Sequence, residues 1–405
     1  MYCVRNITGD LYWVGANDHR LSLFENIHPI PKGVSYNSYL LLGQQTVLFD
    51  TVDWSACRQL LENIQHLLKG RPLDVLVIHH LEPDHGASME EILLRWPNVK
   101  IVASAKAFAM MRQFGFDLTG HELVQVKDGD TQTFGGHTIH FLSAPMVHWP
   151  EVMVSFDATD GVLFSADAFG SFIALDGKLF QDEVNFDRDW LDEARRYYTN
   201  IVGKYGPQVQ ALLKKAAGIL DHIRYICPLH GPVWRGDFPY LLDKYQHWSS
   251  CTPEDRAVMI AYASMYGNTE SAAQALAARL VERGAANVAV YDVSNTHVSY
   301  LISEAFRCSH LVLASVTYNA GIYPVMRDFL EETKALDLHG RTAALMENGT
   351  WASRSGDLMQ KFLTEELKGM TVLEPRVKML SALKESQDAE LDALADAIVQ
   401  SVQAR

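Results

Sequence analysis

The chain of 405 residues carries 49 acidic against 35 basic side chains, a formal net charge of -14, which repels a phosphate backbone and argues against nucleic acid as a partner. Its apolar and charged fractions are those of a globular protein, and its length exceeds one ordinary core, so two domains are expected. No apolar run is long enough for a bilayer span; the start, "MYCVRNITGDLYWVGAND", lacks a leader pattern; and the five scattered cysteines (Cys3, Cys57, Cys227, Cys251, Cys308) form no CxxC pair, so the expectation is a cytoplasmic protein with neither a disulfide framework nor a thiolate metal site.

In chain order, "SYNSYLLLGQQTVLFDT" reads as a hairpin, two β-rich apolar runs around a Gly-Gln-Gln turn. The periodicity of "SACRQLLENIQHLLKG" predicts a helix closing on Gly70, and "ASMEEILLRW" predicts another. Short strands are expected at "LDVLVI", "VKIVAS", "TIHFLSA", "GVLFSA" and "IRYICP". The polar, proline-containing stretch "WSSCTPEDRA" marks a domain boundary near residue 250, giving domains of 1–250 and 251–405. Beyond it, strands "AVMIAYAS", "NVAVYDV", "HLVLAS", "RTAALME" and "TVLEP" alternate with helices such as "ESAAQALAARLVERG" and "SGDLMQKFLTEELKG", and the amphipathic "DAELDALADAIVQSV" ends the chain. That βαβ alternation implies a parallel sheet covered by helices on both faces.

The loop "HHLEPDHGAS" after "LDVLVI" holds His79, His80, Glu82, Asp84 and His85, five groups able to coordinate metals within seven residues. A lone histidine is usually a packing or surface residue, so the test is whether other strand ends supply more donors. His148 follows "TIHFLSA", Asp167 follows "GVLFSA" and His230 follows "IRYIC". Each sits at or just beyond the carboxyl end of a strand, where α/β sheets place their sites. Together they point to a metal centre.

The series His80-x-Glu82-x-Asp84-His85, then His148, Asp167 and His230, resembles the metallo-β-lactamase signature, whose fold is an αββα sandwich with metals at the sheet edges. Hydrolases of that fold commonly carry histidine where this chain has Glu82 and bind zinc. The carboxylate adds a hard oxygen donor and shifts the preference towards iron. With Glu82 and the second half of the chain, the sequence is similar to flavodiiron proteins (A-type flavoproteins) over essentially its whole length. That resemblance implies one iron on His80, Glu82 and His148, a second on Asp84, His85 and His230, and Asp167 bridging them. His79 has no role in it and is read as a residue behind the ligands or on the surface. The resemblance also suggests a phenol near the irons from Tyr197 or Tyr198, for which core packing is an equal reading.

In the second half, Ser264, Met265, Tyr266, Gly267, Asn268 and Thr269 form a short polar turn at a helix amino end, where free N–H groups and the helix dipole favour a phosphate. It is neither GxGxxG nor a P-loop, and simple N-capping would suffice for its composition. In context it looks like the flavodoxin phosphate loop for FMN. By the same resemblance Thr317, Tyr318, Asn319, Ala320 and Gly321, and then Asn348, Gly349, Thr350 and Trp351, flank the isoalloxazine ring. Two departures stand out: Val316 where the family often has proline, and an "ENGTWAS" loop poorer in glycine than is common.

The resemblance implies reduction of dioxygen to water, of nitric oxide to nitrous oxide, or of both, at a di-iron centre supplied with electrons through FMN. Without a CxxC…CxxC module in the sequence, the expected donor is a separate rubredoxin or flavin reductase. Head-to-tail homodimers, or dimers of dimers, would bring the FMN of one subunit to the irons of another. The alternatives are a zinc hydrolase with an accessory flavodoxin domain and an electron carrier with a vestigial metal site.

Overall fold

The Gly-Gln-Gln turn joins Tyr39–Leu42 to Thr46–Phe49 in antiparallel register, forming the hairpin read from the sequence. It lies within a seven-stranded sheet whose spatial order is Arg5–Asn6, Leu11–Trp13, Tyr39–Leu42, Thr46–Phe49, Val75–Val77, Lys100–Ser104 and Leu123–Val126. Pairing is antiparallel up to Thr46–Phe49 and parallel beyond it. A second sheet orders Thr131–Phe134, His137–Ser143, Met153–Asp157, Val162–Phe164 and Tyr225–Cys227, with a parallel last pair. Val47, Phe49, Val75, Val77 and Val102 of the first sheet share one core with Ile139, Phe141, Met153, Val162 and Phe164 of the second, so the sheets pack face to face. Leu48 and Leu76 point to the opposite face and are equally buried. Helices cover the outer faces, Ala105–Gln113 packing on Lys100–Ser104 for example.

These coordinates are a computed structural model describing residues 1–404. The chain divides into two units, Met1–Tyr198 with Pro207–Asp243, and Thr199–Gly206 with Lys244 onward. Among the described residues no helix is long and apolar enough to cross a membrane.

The second unit holds a parallel sheet in the order Val288–Asp292, Asp255–Ala263, Cys308–Tyr318 and Thr342–Asn348, with Thr371–Val372 and Val377–Met379 both pairing on the last. Its central strands, Asp255–Ala263, Cys308–Tyr318 and Thr342–Asn348, are largely buried on both faces, as strands inside a parallel sheet must be. Met259 and Ala261 enter one core, and Val258, Ile260 and Tyr262 enter the other. The chain winds to one side of Asp255–Ala263 and then to the other, which puts the topological switch point between Asp255–Ala263 and Cys308–Tyr318.

Candidate functional site

One aspartate and a histidine fix the first candidate ligand loop. Asp50 follows Thr46–Phe49; its Oδ1 accepts the His79 N–H at 2.7 Å, and its Oδ2 lies 2.5 Å from His79 Nδ1. The other imidazole nitrogen of His79 is 2.7 Å from Ser155 Oγ on the second sheet, and the ring stacks with Phe49 and Phe164. His79 is therefore a buried strut behind the candidate ligands. With the loop pinned, His80 follows directly, Glu82 precedes the short helix Pro83–Gly86, and Asp84 and His85 lie within it. His148, Asp167 and His230 come from the loops after His137–Ser143, Val162–Phe164 and Tyr225–Cys227.

The seven side chains meet as two groups, His80, Glu82, His148 and Asp167, and Asp84, His85 and His230. Asp167 joins them. Its Oδ2 lies 3.3 Å from His80 Nε2 and 3.2 Å from His148 Nε2, while its Oδ1 lies 3.2 Å from His85 Nε2 and 3.8 Å from His230 Nε2. Glu82 Oε2 is 3.0 Å from His148 Nε2, and Asp84 Oδ2 is 3.1 Å from His230 Nε2. Burial alone would lower the histidines, yet Asp167 and Glu82 push His148 up to about 9, and Asp167 with Glu151 and Glu82 holds His80 well above its usual range. Burial would raise Asp167, but His80 and His85 hold it well below the carboxylate range. The cluster is thus built around dense opposite charge.

Several of these atoms are buried and make no aligned hydrogen bond: both oxygens of Asp84, both ring nitrogens of His85, Nε2 of His148 and His230, and Oδ1 of Asp167. Orphaned donors and acceptors are costly in a protein interior. Their convergence on two points fits two cations, each offered two imidazoles, one carboxylate and a share of Asp167. A mixed nitrogen and oxygen set with this share of carboxylate suits iron.

Sequence reasoning missed the groups that orient the candidate ligands. Glu151 Oε1 lies 2.8 Å from His80 Nδ1 and accepts the Leu81 N–H at 3.0 Å, which turns His80 Nε2 to the cluster. His230 Nδ1 lies 2.7 Å from the Ser35 carbonyl, with the same result for its Nε2. Such partners fix the tautomer and orientation of a metal-binding imidazole. Asn37 Nδ2 holds the His230 loop through the carbonyls of Pro228 and Gly231. Glu25, on the hairpin of Leu23–Phe24 and His28–Pro29, is pushed up to about 8 by burial and by neighbouring Glu82. It borders an open cavity of about 430 Å³ with Leu23, Phe24, Tyr36, Glu82 and Asp84.

Of the two tyrosines, Tyr197 packs its ring 5.4 Å from that of His230 and against Gly170, three residues past Asp167. Tyr198 is equally buried. A π-helical turn, Tyr198–Val202, follows.

The three expected flavin loops follow the adjacent strands Asp255–Ala263, Cys308–Tyr318 and Thr342–Asn348 at their carboxyl ends. Ser264 Oγ accepts the Gly267 N–H at 3.1 Å, and Gly267 (φ 91°) caps the helix Asn268–Glu282, leaving Ser264, Met265, Tyr266 and Thr269 around its amino end. Asn319 and Ala320, both at positive φ, turn Thr317–Tyr318 back onto Gly321–Ile322. Asn348 Nδ2 donates to Thr269 Oγ1 at 3.2 Å and so ties the third loop to the first; its buried Oδ1 has no hydrogen-bond partner. Thr317 Oγ1 accepts the N–H groups of Arg354 and Ser355, so this hydroxyl secures the start of helix Ser355–Glu365. Gly349, Thr350 and Trp351 continue the third loop, where Trp351 is 91% and Tyr266, on the first, 89% exposed. Large aromatics standing free on loops at a switch point fit a planar ligand.

Residues 34–231 match the model of the ODP family beta lactamases, and residues 260–391 match that of flavodoxins. The chain is 31% identical over 370 residues to the anaerobic nitric oxide reductase flavorubredoxin of Aeromonas salmonicida, covering 89% of this chain and 69% of that one. It is 31% identical to the flavorubredoxin of Vibrio vulnificus, covering 89% and 73%. Its backbone superposes on the rubredoxin oxygen:oxidoreductase of Desulfovibrio gigas with a TM-score of 0.91 at 29% identity, covering 99% of both chains.

Proposed function

The chain belongs to the flavodiiron family of oxidoreductases, and we propose from that premise that it reduces dioxygen to water, nitric oxide to nitrous oxide, or both, at a di-iron centre fed by FMN. The observation that carries the proposal is the placement of Asp167, whose two oxygens face two separate donor groups. His80, Glu82 and His148 would hold one iron and Asp84, His85 and His230 the other, with Asp167 setting the distance between them. The match over both halves and the carboxylate at Glu82 favour this reading over the zinc hydrolase and the vestigial carrier.

When bound, the two irons and FMN supply the electrons: four reduce dioxygen to two waters, and two reduce two nitric oxide molecules to nitrous oxide and water. The chain's own part is placement. Glu151 and the Ser35 carbonyl hold His80 and His230 with Nε2 forward. Asp50 and His79 keep the first loop from shifting. The cavity beside Glu82 and Asp84 has an apolar rim from Leu23 and Phe24, suited to a small uncharged gas. Tyr197 packs its ring against that of His230, and Tyr198 is its neighbour in the chain. In the second domain the amino end of Asn268–Glu282 would take the FMN phosphate, with Tyr318, Asn348 and Trp351 along the ring.

Electrons would enter from an external donor of the rubredoxin or flavin reductase kind, in the cytoplasm. A head-to-tail dimer would bring each FMN to a partner's irons; full gas reduction by a verified monomer would sink that part. The test of the function is anaerobic: measure iron, zinc and FMN in the purified protein, reduce it, and add either gas. About two irons and one FMN per chain, with rapid flavin reoxidation by at least one gas, is the expected result. Zinc in place of iron with no reoxidation would refute it.

A further inference from the structure

The strand His137–Ser143 leads towards His148 at one end; at its other end, roughly 20 Å of strand away, lies a separate cluster of Asp10, His137, Asp157 and Asp160. Asp10 comes from the turn before Leu11–Trp13 in the seven-stranded sheet, His137 opens its strand in the five-stranded sheet, and Asp160 lies in the turn between Met153–Asp157 and Val162–Phe164. His137 is 94% buried by its 6% exposure, and Asp10 and Asp160 are half-buried.

The order within the cluster is specific. Asp157 Oδ1 accepts the Thr159 N–H at 2.9 Å, which leaves its Oδ2 2.7 Å from His137 Nδ1. That contact places the Nδ1 proton and presents Nε2 outward. Nε2 lies 3.1 Å from Asp10 Oδ2, and an Asp160 carboxylate oxygen completes a trio whose atoms all lie within 4.8 Å of one another. Asp10 is itself held, by the Thr8 hydroxyl on Oδ1 and by the Leu42 N–H on its carbonyl. A protonated His137 would account for Asp157 and Asp10 as an ion pair. It would leave Asp160 adding a third carboxylate to a site that is already negative. A dication accounts for all four residues.

We propose that Asp10, His137 and Asp160 form a zinc site independent of the di-iron centre, with Asp157 orienting the imidazole. One imidazole, two carboxylates and water make a tetrahedral set, whose donors stand about 3.3 Å apart at ordinary zinc distances. The His137 and Asp10 donors, 3.1 Å apart, stand at about that spacing, and the Asp160 oxygen lies within 4.8 Å of both. A carboxylate on the far nitrogen of a metal-binding histidine is the arrangement that orients such a ligand. Because Asp10 belongs to one sheet and His137 and Asp160 to the other, the ion would clamp the two layers of the sandwich together at the end away from the irons.

The test uses the holoprotein with its iron and FMN measured first. Zinc is titrated against a chromophoric chelator, and the melting temperature is followed in parallel. The expected result is one zinc per chain taken up without loss of iron, with a rise in melting temperature. Asp160→Asn, a change at a half-exposed turn, lowers zinc affinity at least tenfold and removes that rise while iron, FMN and gas turnover stay at wild-type values. His137→Gln does the same to zinc. No extra equivalent in the wild type, zinc bound only as iron is lost, or an extra equivalent kept by Asp160→Asn would overturn the proposal. None of these results bears on the gas chemistry, which is read separately from turnover.

Discussion

Replacing Glu151 tests whether the ligand cluster is held from behind. Its carboxylate is fully buried, and one oxygen serves both His80 Nδ1 and the Leu81 N–H. Glu151→Gln can keep an acceptor in place but removes the charge that favours a forward-facing, basic His80 Nε2. Glu151→Ala removes both and leaves the Leu81 N–H without a partner. Loss of such a support lowers metal affinity by about 10- to 100-fold, or roughly 1.4–2.7 kcal/mol. The alanine variant should also lose about 1–3 kcal/mol of folding stability for the buried amide, and the glutamine variant less. The assay is chelator competition on anaerobic ferrous protein, following iron retained per chain, with urea unfolding alongside. The expected order of retention is wild type, then glutamine, then alanine, with one of the two irons released first. If both variants hold two irons as firmly as the wild type, Glu151 does not orient a ligand and the argument from His80 fails.

Glu82→His should release iron at least tenfold more readily and raise zinc occupancy, because a hard carboxylate oxygen gives way to an imidazole; unchanged metal content by elemental analysis would count against the role given to the glutamate. Asn348→Ala cuts the link from the third flavin loop to Thr269 and the Ser381 carbonyl, and FMN should dissociate about five- to tenfold more easily in a fluorescence titration. Burial would raise Glu183, but the N–H of Phe180, Arg5 and the N–H of Leu179 together hold it below its usual value. Its stabilising effect is therefore present above the unfolded carboxyl range and is lost as pH falls through the lowered folded value. Glu183→Gln should cost about 1 kcal/mol at pH 7 and almost nothing near pH 2, as read by denaturant unfolding; an equal cost at both would refute the pairing.

The clustering of the proposed metal ligands was legible because their residue types are unusual for a loop and recur at strand ends. His80, His148, Asp167 and His230 each follow a recognisable apolar run. The supports were not legible, for physical reasons. Glu151 acts on a residue 71 positions away, and nothing in "HWPEVM" signals that meeting. Ser35 contributes a main-chain carbonyl to His230, which no side chain reports. Glu25 sits on a hairpin whose strands are two residues long, too short for a period of two to show. Met153–Asp157 escaped for the opposite reason: all five of its residues are buried, so there is no polar face to alternate with. In the second unit the regular βαβ pattern gave the sheet and the loop positions. It could not reveal that the Thr317 hydroxyl is taken up by the amides of Arg354 and Ser355.

The two ligand groups do not divide between the two sheets. The seven-stranded sheet supplies His80, Glu82, Asp84 and His85, the five-stranded sheet supplies His148, Asp167 and His230, and each group takes donors from both. A slide of one sheet over the other would therefore spoil both groups at once. The structure resists such a slide close to the ligands. His79 bridges Asp50 to Ser155, and Asn37 and the Tyr39 hydroxyl both reach the Pro228 carbonyl just before His230. Polar ties of this kind would be wasteful in an ordinary sandwich, where apolar packing aligns the layers at no desolvation cost. Those behind His80 and His230 are explained if the alignment there must be held more tightly than packing alone provides, as a pair of cations sharing Asp167 would require.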